Sequence, residues 1–324
     1  MDSTSGLTVY ITTYNRADFL RESIKSVLGQ TMSDLKLVVL DNCSTDSTPE
    51  VIKEFDDPRL TSIRHEKNIG GIANIDYAFD NNNSEYIVVF HDDDMMKPEM
   101  IEQEYKFLQE HPDVTCVSSL TTFLYSDGST KDLKPPYEGE YMIYEGHELF
   151  DAYFGIGTGT VCPTIMYRQS FLTEHKLNFD PTVGPCCDIK CLFDIERFGG
   201  KVASLNKNLI MSRQHEHQDS IVNNIPMHAM LYDYLAKDEY YAPLLESREE
   251  CRNELYHKYS KGFASLLVQG KGDRKKLIEC EKLMRGALKG RAKDRIIYTV
   301  CRFVSAVSPH LAKSIYKAHK RGNA

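Results

Sequence analysis

Three consecutive aspartates, Asp92-Asp93-Asp94, follow His91 at the end of an apolar run, Tyr86–Phe90. Carboxylates one residue apart, such as Asp92 and Asp94, can converge on a hard divalent cation, Mn²⁺ or Mg²⁺. Such cations take oxygen ligands and bridge substrate phosphates. A solvated acidic turn or a helix N-cap is the plainer alternative. Asp41 closes a second apolar run, Leu35–Leu40. Its carboxylate can accept a hydrogen bond from a nucleobase N–H or a ribose hydroxyl, or simply cap the turn with Asn42 and Ser44. A third run, Leu7–Ile11, leads into Thr12-Thr13-Tyr14-Asn15-Arg16. This is neither a G-x-G-x-x-G dinucleotide loop nor a G-x-x-x-x-G-K-[ST] phosphate loop. A nucleotide held there relies on the threonines and the tyrosine; in the alternative, Asn15 and Asp18 are helix caps.

The elements that must position these residues alternate. Strand-like runs at Leu7–Ile11, Leu35–Leu40, Arg59–Arg64, Tyr86–Phe90 and Val114–Val117 are separated by helical patterns at Phe19–Leu28, Ile72–Phe79 and Pro98–Leu108. A further helix is expected from Ser47, where Ser47 and Glu50 fit a capping box. Alternation at this spacing predicts a mostly parallel sheet with helices on both faces. Ligands bind such sheets beyond the carboxyl ends of the strands, where Thr12–Arg16, Asp41 and the aspartate triplet all fall. Ser126-Asp127-Gly128-Ser129 reads as a hairpin turn. Cys187–Phe198 reads as a helix stopped by Gly199-Gly200. Val202–Leu205 and Leu209–Met211 read as two short strands, and the chain is helical after residue 225.

Taken in order, Thr12-Thr13-Tyr14-Asn15-Arg16, Val39-Leu40-Asp41-Asn42-Cys43-Ser44-Thr45-Asp46, Asn68-Ile69-Gly70-Gly71 and Phe90-His91-Asp92-Asp93-Asp94 resemble the family 2 glycosyltransferases of the GT-A fold. Each motif is weak alone; four in order are specific. The resemblance spans residues 5–220. It implies an α/β fold of GT-A type: a mostly parallel nucleotide-binding sheet flanked by helices, with a C-terminal helical extension. The expected division is a catalytic domain at 1–225 and a basic helical extension at 226–324.

The resemblance also implies roles. Thr12, Tyr14 and Asp41, with Asn15, Arg16 and Asn74, would hold the nucleobase and ribose, Asp41 reading a uracil-like N–H. Asp92 and Asp94 fill the family's DXD position as metal ligands, and Asp92 and Asp93 also contact the donor. Cys43 stands where a small residue is usual. The family's general base matches Asp188, in Gly184-Pro185-Cys186-Cys187-Asp188. The usual acidic pair is here Cys187-Asp188, so Asp188 is the one carboxylate in the match; a helix N-cap is its plainer role. Arg213-Gln214-His215-Glu216-His217 resembles the family's Arg-x-His segment. Arg213 would pair with diphosphate, and His215, favoured over His217, would be a third metal ligand. The implied reaction is inverting transfer of a hexose-type sugar from a nucleotide-diphosphate sugar, expected to be a UDP-sugar. The acceptor is a hydroxyl of a glycan or lipid-linked molecule.

The net charge of −8 conceals an asymmetry: residues 252–324 carry 18 Lys and Arg against 5 Asp and Glu. Ile296, Val300, Val304 and Val307 repeat on one helical face, with Arg295 and Arg302 elsewhere. Beyond Pro309, Leu311 and Ile315 face away from Lys313, Lys317 and Lys320. This basic amphipathic pattern suits an anionic membrane surface, the alternative being helices packed on the catalytic domain. Nucleic acid is not an expected partner, since aromatic–basic interleaving is missing. Nine cysteines without a C-x-x-C pair read as reduced thiols. Zinc at Cys186, Cys187 and Cys191 lacks a second cluster. With no basic leader followed by an apolar stretch, the expectation is a cytoplasmic protein, peripheral on the inner face of the membrane. Two rivals remain. A nucleotidyltransferase would carry a Gly-rich, basic loop after the first strand, and a non-catalytic sugar-nucleotide or glycan-binding module would have no use for Asp188.

Overall fold

The structure, a computed structural model, describes residues 6–155, 157–160, 162–215, 224–270 and 273–307. Its strands are β1 (Leu7–Thr13), β2 (Lys36–Asp41), β3 (Leu60–Arg64), β4 (Tyr86–His91), β5 (Met95–Met96), β6 (Cys116–Leu124), β7 (Thr130–Asp132), β8 (Tyr141–Tyr144), β9 (Met166–Arg168) and β10 (Val202–Arg213). Interspersed among them are α1 (Ala17–Leu28), α2 (Thr48–Lys53), α3 (Gly71–Asn81), α4 (Met100–Glu110), α5 (Glu148–Phe154), α6 (Gln169–His175) and α7 (Cys187–Arg197). Then come α8 (Asn224–Lys237), α9 (Tyr241–Glu246), α10 (Glu249–Gln269), α11 (Arg274–Leu288) and α12 (Ala292–Val307).

Apolar residues fill β1, β2 and β4 because helices cover both faces of the sheet, and most of their side chains are buried. The strand order is β3-β2-β1-β4-β9-β6-β10-β5, with β7 added to β6 and β8 to β10. The long strands β1, β2, β3, β4, β6 and β10 run in one direction, and the short β5, β7, β8 and β9 run against them. The sheet is therefore mostly parallel, as its sequence implies. Thr12 pairs in register with Leu40 and with His91, which aligns the ends of β1, β2 and β4 on one edge. The core beneath that edge includes Val9, Ile11, Leu20, Ile24, Val39, Val88 and Phe90.

Local differences from the sequence reading have physical reasons. The two strands expected at Val202–Leu205 and Leu209–Met211 are one strand, β10, with register shifts between Ser204 and Ile210. There Asn208 donates from Nδ2 to the carbonyls of Thr121 and Leu133, and Asn206 to that of Gly139. Side-chain amides thus replace ladder bonds across the irregularity. Ser47 makes no capping bond at α2. Asp46 does that work, accepting from the Thr48 N–H at 3.0 Å and the Ala17 N–H at 3.2 Å. The Ser126–Ser129 turn does join a hairpin, β6 to β7. Helix α7 ends where Gly199 adopts φ +80°, and a Cβ on Gly200 would lie 2.6 Å from Thr115 Oγ1.

The chain divides into two compact units, Met1–Pro181 with Asp188–Glu216, and Thr182–Cys187 with His217–Ala324. The second is built from α8 to α12 around Tyr232, Tyr256, Phe263, Met284 and Tyr298, all essentially buried. Buried polar pairs also join its helices: Tyr256 OH donates to Glu281 Oε1 at 2.7 Å, and His257 Nδ1 meets Asp294 Oδ1 at 2.6 Å. His217, Glu216 and the segment carrying Leu311, Lys313, Ile315, Lys317 and Lys320 lie outside the described residues.

Candidate active site

The turn after β1 is shaped by Asn15, which adopts φ +54°, a conformation that asparagine tolerates better than most residues. Its N–H donates to Ser44 Oγ at 2.9 Å, and its Oδ1 accepts from the Thr45 N–H at 2.6 Å. The turn after β1 is thereby laced to the turn after β2. Tyr14 is left exposed and Thr12 half-buried beside it. The Asp41 carboxylate, buried at the end of β2, accepts from the Ser44 N–H at 2.8 Å on Oδ1 and pairs through Oδ2 with Arg64 Nη1 at 2.5 Å. Asn74 is buried and bonded at both ends, donating to the Leu40 carbonyl and facing His65 Nε2 through Oδ1. In this state Asn74 ties α3 to the sheet.

At the end of β4 the three aspartates are almost fully buried, in unequal surroundings. Arg16 Nη1 lies 2.5 Å from Asp93 Oδ2 and 3.3 Å from Asp92 Oδ1. Burial raises Asp92 to about 6 against the pull of Arg16. Burial and the Asp93 charge raise Asp94 to about 6, although the Ser212 hydroxyl and the Arg213 N–H, 3.1 Å from Oδ1, oppose the rise. Burial also works against ionised Asp93, but His91, Arg16 and His215 outweigh it and hold that carboxyl below its ordinary range.

The last turn of β10 closes the rim. His215 stacks on Phe19, with centroids 5.3 Å apart, and sets Nε2 3.1 Å from Asp93 Oδ2. The Arg213 guanidinium lies over Phe19, against Met95 and paired with Glu22.

Asp188 sits in the first turn of α7 with partial exposure. Its surroundings are nonetheless dense. Burial raises its carboxyl above the ordinary value, while a hydrogen bond involving the Cys162 side chain and the charge of His91 counter the rise.

The structure therefore gathers Arg16, Asp92, Asp93, Asp94, Arg213 and His215 on one rim, while Asp188 lies in the first turn of α7. Asp41 and Asn74 form a neighbouring cluster at the end of β2. Among the described residues, His91, Asp93 and Asp94 bring metal-ligand atoms within 4.8 Å of one another. The sequence expectation was Asp92, Asp94 and His215. Asp94 is common to both sets; Arg16 Nη1 contacts Asp92 and, more closely, Asp93, and His215 Nε2 also faces Asp93. An imidazole and two carboxylates form a donor set suited to Mn²⁺ or to Mg²⁺ with additional waters. The role of His91 went unread because a histidine at a strand end carries no spacing signal of its own. The Arg64–Asp41 pair was hidden because it joins ends of adjacent strands.

The glycosyl transferase family 2 model matches residues 8–175. The chain belongs to glycosyl transferase family 2. A glycosyltransferase of Methanocaldococcus jannaschii is 30% identical over 222 residues, 64% of this chain and 73% of that one. The structure resembles Staphylococcus aureus TarS 1–349 in complex with UDP-GlcNAc, with a TM-score of 0.69, 14% identity, and coverage of 98% of this chain and 92% of that one. It also resembles the mannosyltransferase PcManGT of Pyrobaculum calidifontis in complex with GDP-Man and Mn²⁺, with a TM-score of 0.57, 16% identity, and coverage of 94% and 86%. The family 2 chain thus has the GT-A fold, with its sheet edge carrying the acidic rim. No helix among its described residues is long and apolar enough to cross a membrane.

Proposed function

We propose that this family 2 glycosyltransferase moves a hexose-type sugar from a UDP-sugar to a hydroxyl of a glycan or lipid-linked acceptor, with inversion at the anomeric carbon. The observation that supports the reading is the clustering of metal-ligand atoms of His91, Asp93 and Asp94 within 4.8 Å of one another at the end of β4, beside the Arg16 guanidinium. Leaving-group chemistry needs positive charge at the diphosphate, which a cation in that cluster would supply, and proton removal needs a carboxylate, the role proposed for Asp188.

Asp188 is the general base, taking the proton of the acceptor hydroxyl as its oxygen attacks. In-line attack from the face opposite the leaving diphosphate inverts the configuration. Burial raises the Asp188 carboxyl above its ordinary value, which makes it a stronger base than a solvated carboxylate. Thr12, Tyr14, Asn15 and Asp41 hold the nucleoside, with Asn74 supporting the floor from α3. Arg16 and Arg213 turn from their carboxylate partners toward the diphosphate, a guanidinium being suited to phosphate oxygens. Asp93, Asp94 and His91 would hold Mn²⁺ or Mg²⁺, with Asp92 and His215 adjacent; when bound, the ion supplies Lewis-acid stabilisation of charge on the diphosphate. TarS was solved with UDP-GlcNAc and PcManGT with GDP-Man and Mn²⁺, so uridine is chosen here on Asp41 as the reader of a base N–H.

Thermal-shift titration with UDP- and GDP-sugars, each with and without Mn²⁺, tests the proposal. Ligand at about 100 times its Kd stabilises the folded state by about 2.7 kcal/mol, a readily measured shift. A UDP-sugar should give the largest shift with Mn²⁺ present, followed by slow release of free UDP. No shift with any nucleotide sugar would remove the reading, and a shift with GDP-sugars alone would remove the uridine assignment.

A further inference from the structure

Helix α12 has a buried side and an apolar exposed row opposite it. Asp294, Tyr298, Cys301 and Ser305, at i, i+4, i+7 and i+11, are buried. That side is fixed by specific partners: Asp294 on His257, Ser305 Oγ accepting from Arg274 Nη1 at 3.0 Å, and Tyr298 edge-on to Phe263. The opposite side carries Ile296, Val300 and Phe303, at i, i+4 and i+7, and these are 63%, 39% and 64% exposed. Helix geometry at 3.6 residues per turn puts them in one row about 180° from Tyr298 and Ser305. The row read from sequence as apolar is thus the outward one, with Val304 half-buried at its margin. Lys293 and Arg295 are exposed beside it, and Arg302 lies with its guanidinium carbon 5.6 Å from the Phe303 ring.

An exposed aromatic and two β-branched residues in a row, bordered by cations, match an interfacial helix: apolar side chains enter the acyl boundary while basic ones meet anionic headgroups. The charge supports the same occupant. Residues 252–324 hold 18 Lys and Arg against 5 Asp and Glu, whereas the whole chain is net −8. A like copy of this strongly basic stretch would be repelled, and an anionic lipid surface attracted. We propose that the Ile296–Val300–Phe303 row of α12 docks this protein on an anionic bilayer surface, lying in its interface plane.

The test is co-sedimentation of the full chain with vesicles of mixed phosphatidylglycerol and phosphatidylcholine, and with phosphatidylcholine alone. Wild type should bind the anionic vesicles selectively and release as salt is raised. Ile296→Glu combined with Phe303→Glu should lower the partition coefficient by about ten-fold or more. Donor hydrolysis in solution should be unchanged, which separates failure here from failure of the transferase reading. Lys293→Glu with Arg295→Glu probes the electrostatic half without touching the apolar row, and should weaken anionic binding while far-UV circular dichroism stays wild-type. Equal sedimentation of wild type and both variants would overturn the proposal. So would a lipid-free dimer that the Ile296→Glu/Phe303→Glu variant dissociates, since the row would then belong to a second copy.

Discussion

Replacing Asp188 by asparagine separates a catalytic base from a helix cap. Asparagine keeps the shape and can still accept a hydrogen bond at the start of α7, so a capping role would survive the change. A base would not, because the amide takes no proton at neutral pH. Loss of a positioned general base costs about 10²–10⁴ in rate, or about 2.7–5.4 kcal/mol at 1.36 kcal/mol per decade. The upper half of that range is expected, because burial strengthens this carboxylate as a base. Stability should move the other way. The folded-state value lies above the ordinary 3.8, so the stability Asp188 contributes is present at low pH and lost as pH rises through the folded value. At neutral pH the charge is therefore a burden on the fold that the amide lacks. Single-turnover kinetics should show kcat reduced by at least about a hundred-fold with donor KM within about three-fold. Thermal unfolding at neutral pH should show a midpoint equal to or above wild type. Near-normal turnover would refute the assignment. Loss of activity together with a lowered midpoint would reassign Asp188 to holding α7 in place.

Asp94→Ala should abolish the Mn²⁺-dependent part of donor binding, read by calorimetry with and without the metal; unchanged heats would remove Asp94 from the cation site. Asp41→Asn should raise donor KM by about ten-fold with kcat little changed, as expected for an interaction made equally in ground and transition states; a fall in kcat alone would contradict that role. Glu196 accepts from the Leu149 N–H at 2.7 Å and the Phe150 N–H at 3.1 Å, and burial raises its carboxyl from 4.5 to about 7. Its stabilising share is full below about 4.5 and lost as pH rises to about 7, about 3 kcal/mol at most. Glu196→Gln should therefore flatten the decline in unfolding free energy between these pH values, measured by denaturant titration; an unchanged slope would disprove it.

The parts of this fold legible in sequence were those carried by runs of local pattern. The apolar runs at Leu7, Leu35 and Tyr86 became β1, β2 and β4, and helices α1, α3 and α4 followed their periodicity. Short strands such as Met95–Met96 and Met166–Arg168 were missed because their pairing is set by distant partners, β10 in one case and β4 and β6 in the other. The site followed the same division. The aspartates and Asp41 announced themselves by falling at strand ends. What each carboxylate meets there was invisible, because Arg16, Arg64 and His215 approach from separate parts of the chain. Helix α12 marks the limit of periodicity: its apolar repeat was read, but the side it faces depends on which residues α10 and α11 bind, and those are Asp294, Tyr298 and Ser305.

The charges on the rim also bear on why one arginine and three aspartates should be kept so close. Asp92, Asp93 and Asp94 are all nearly buried, and Arg16 is the guanidinium that pairs with two of them. Three carboxylates facing one guanidinium leave an excess of negative charge in a poorly solvated place. The structure records the consequence: burial holds Asp92 and Asp94 near 6, so their ionisation is only partly favoured. A pyrophosphate entering alone would add to the excess and be repelled. A divalent cation held by Asp93, Asp94 and His91, as proposed above, would offset the carboxylates and leave Arg16 for the donor. Cation and donor should then bind as a unit. The same exchange would let Arg16 pair with carboxylates in this structure and still serve phosphate, since its guanidinium needs a partner in either state.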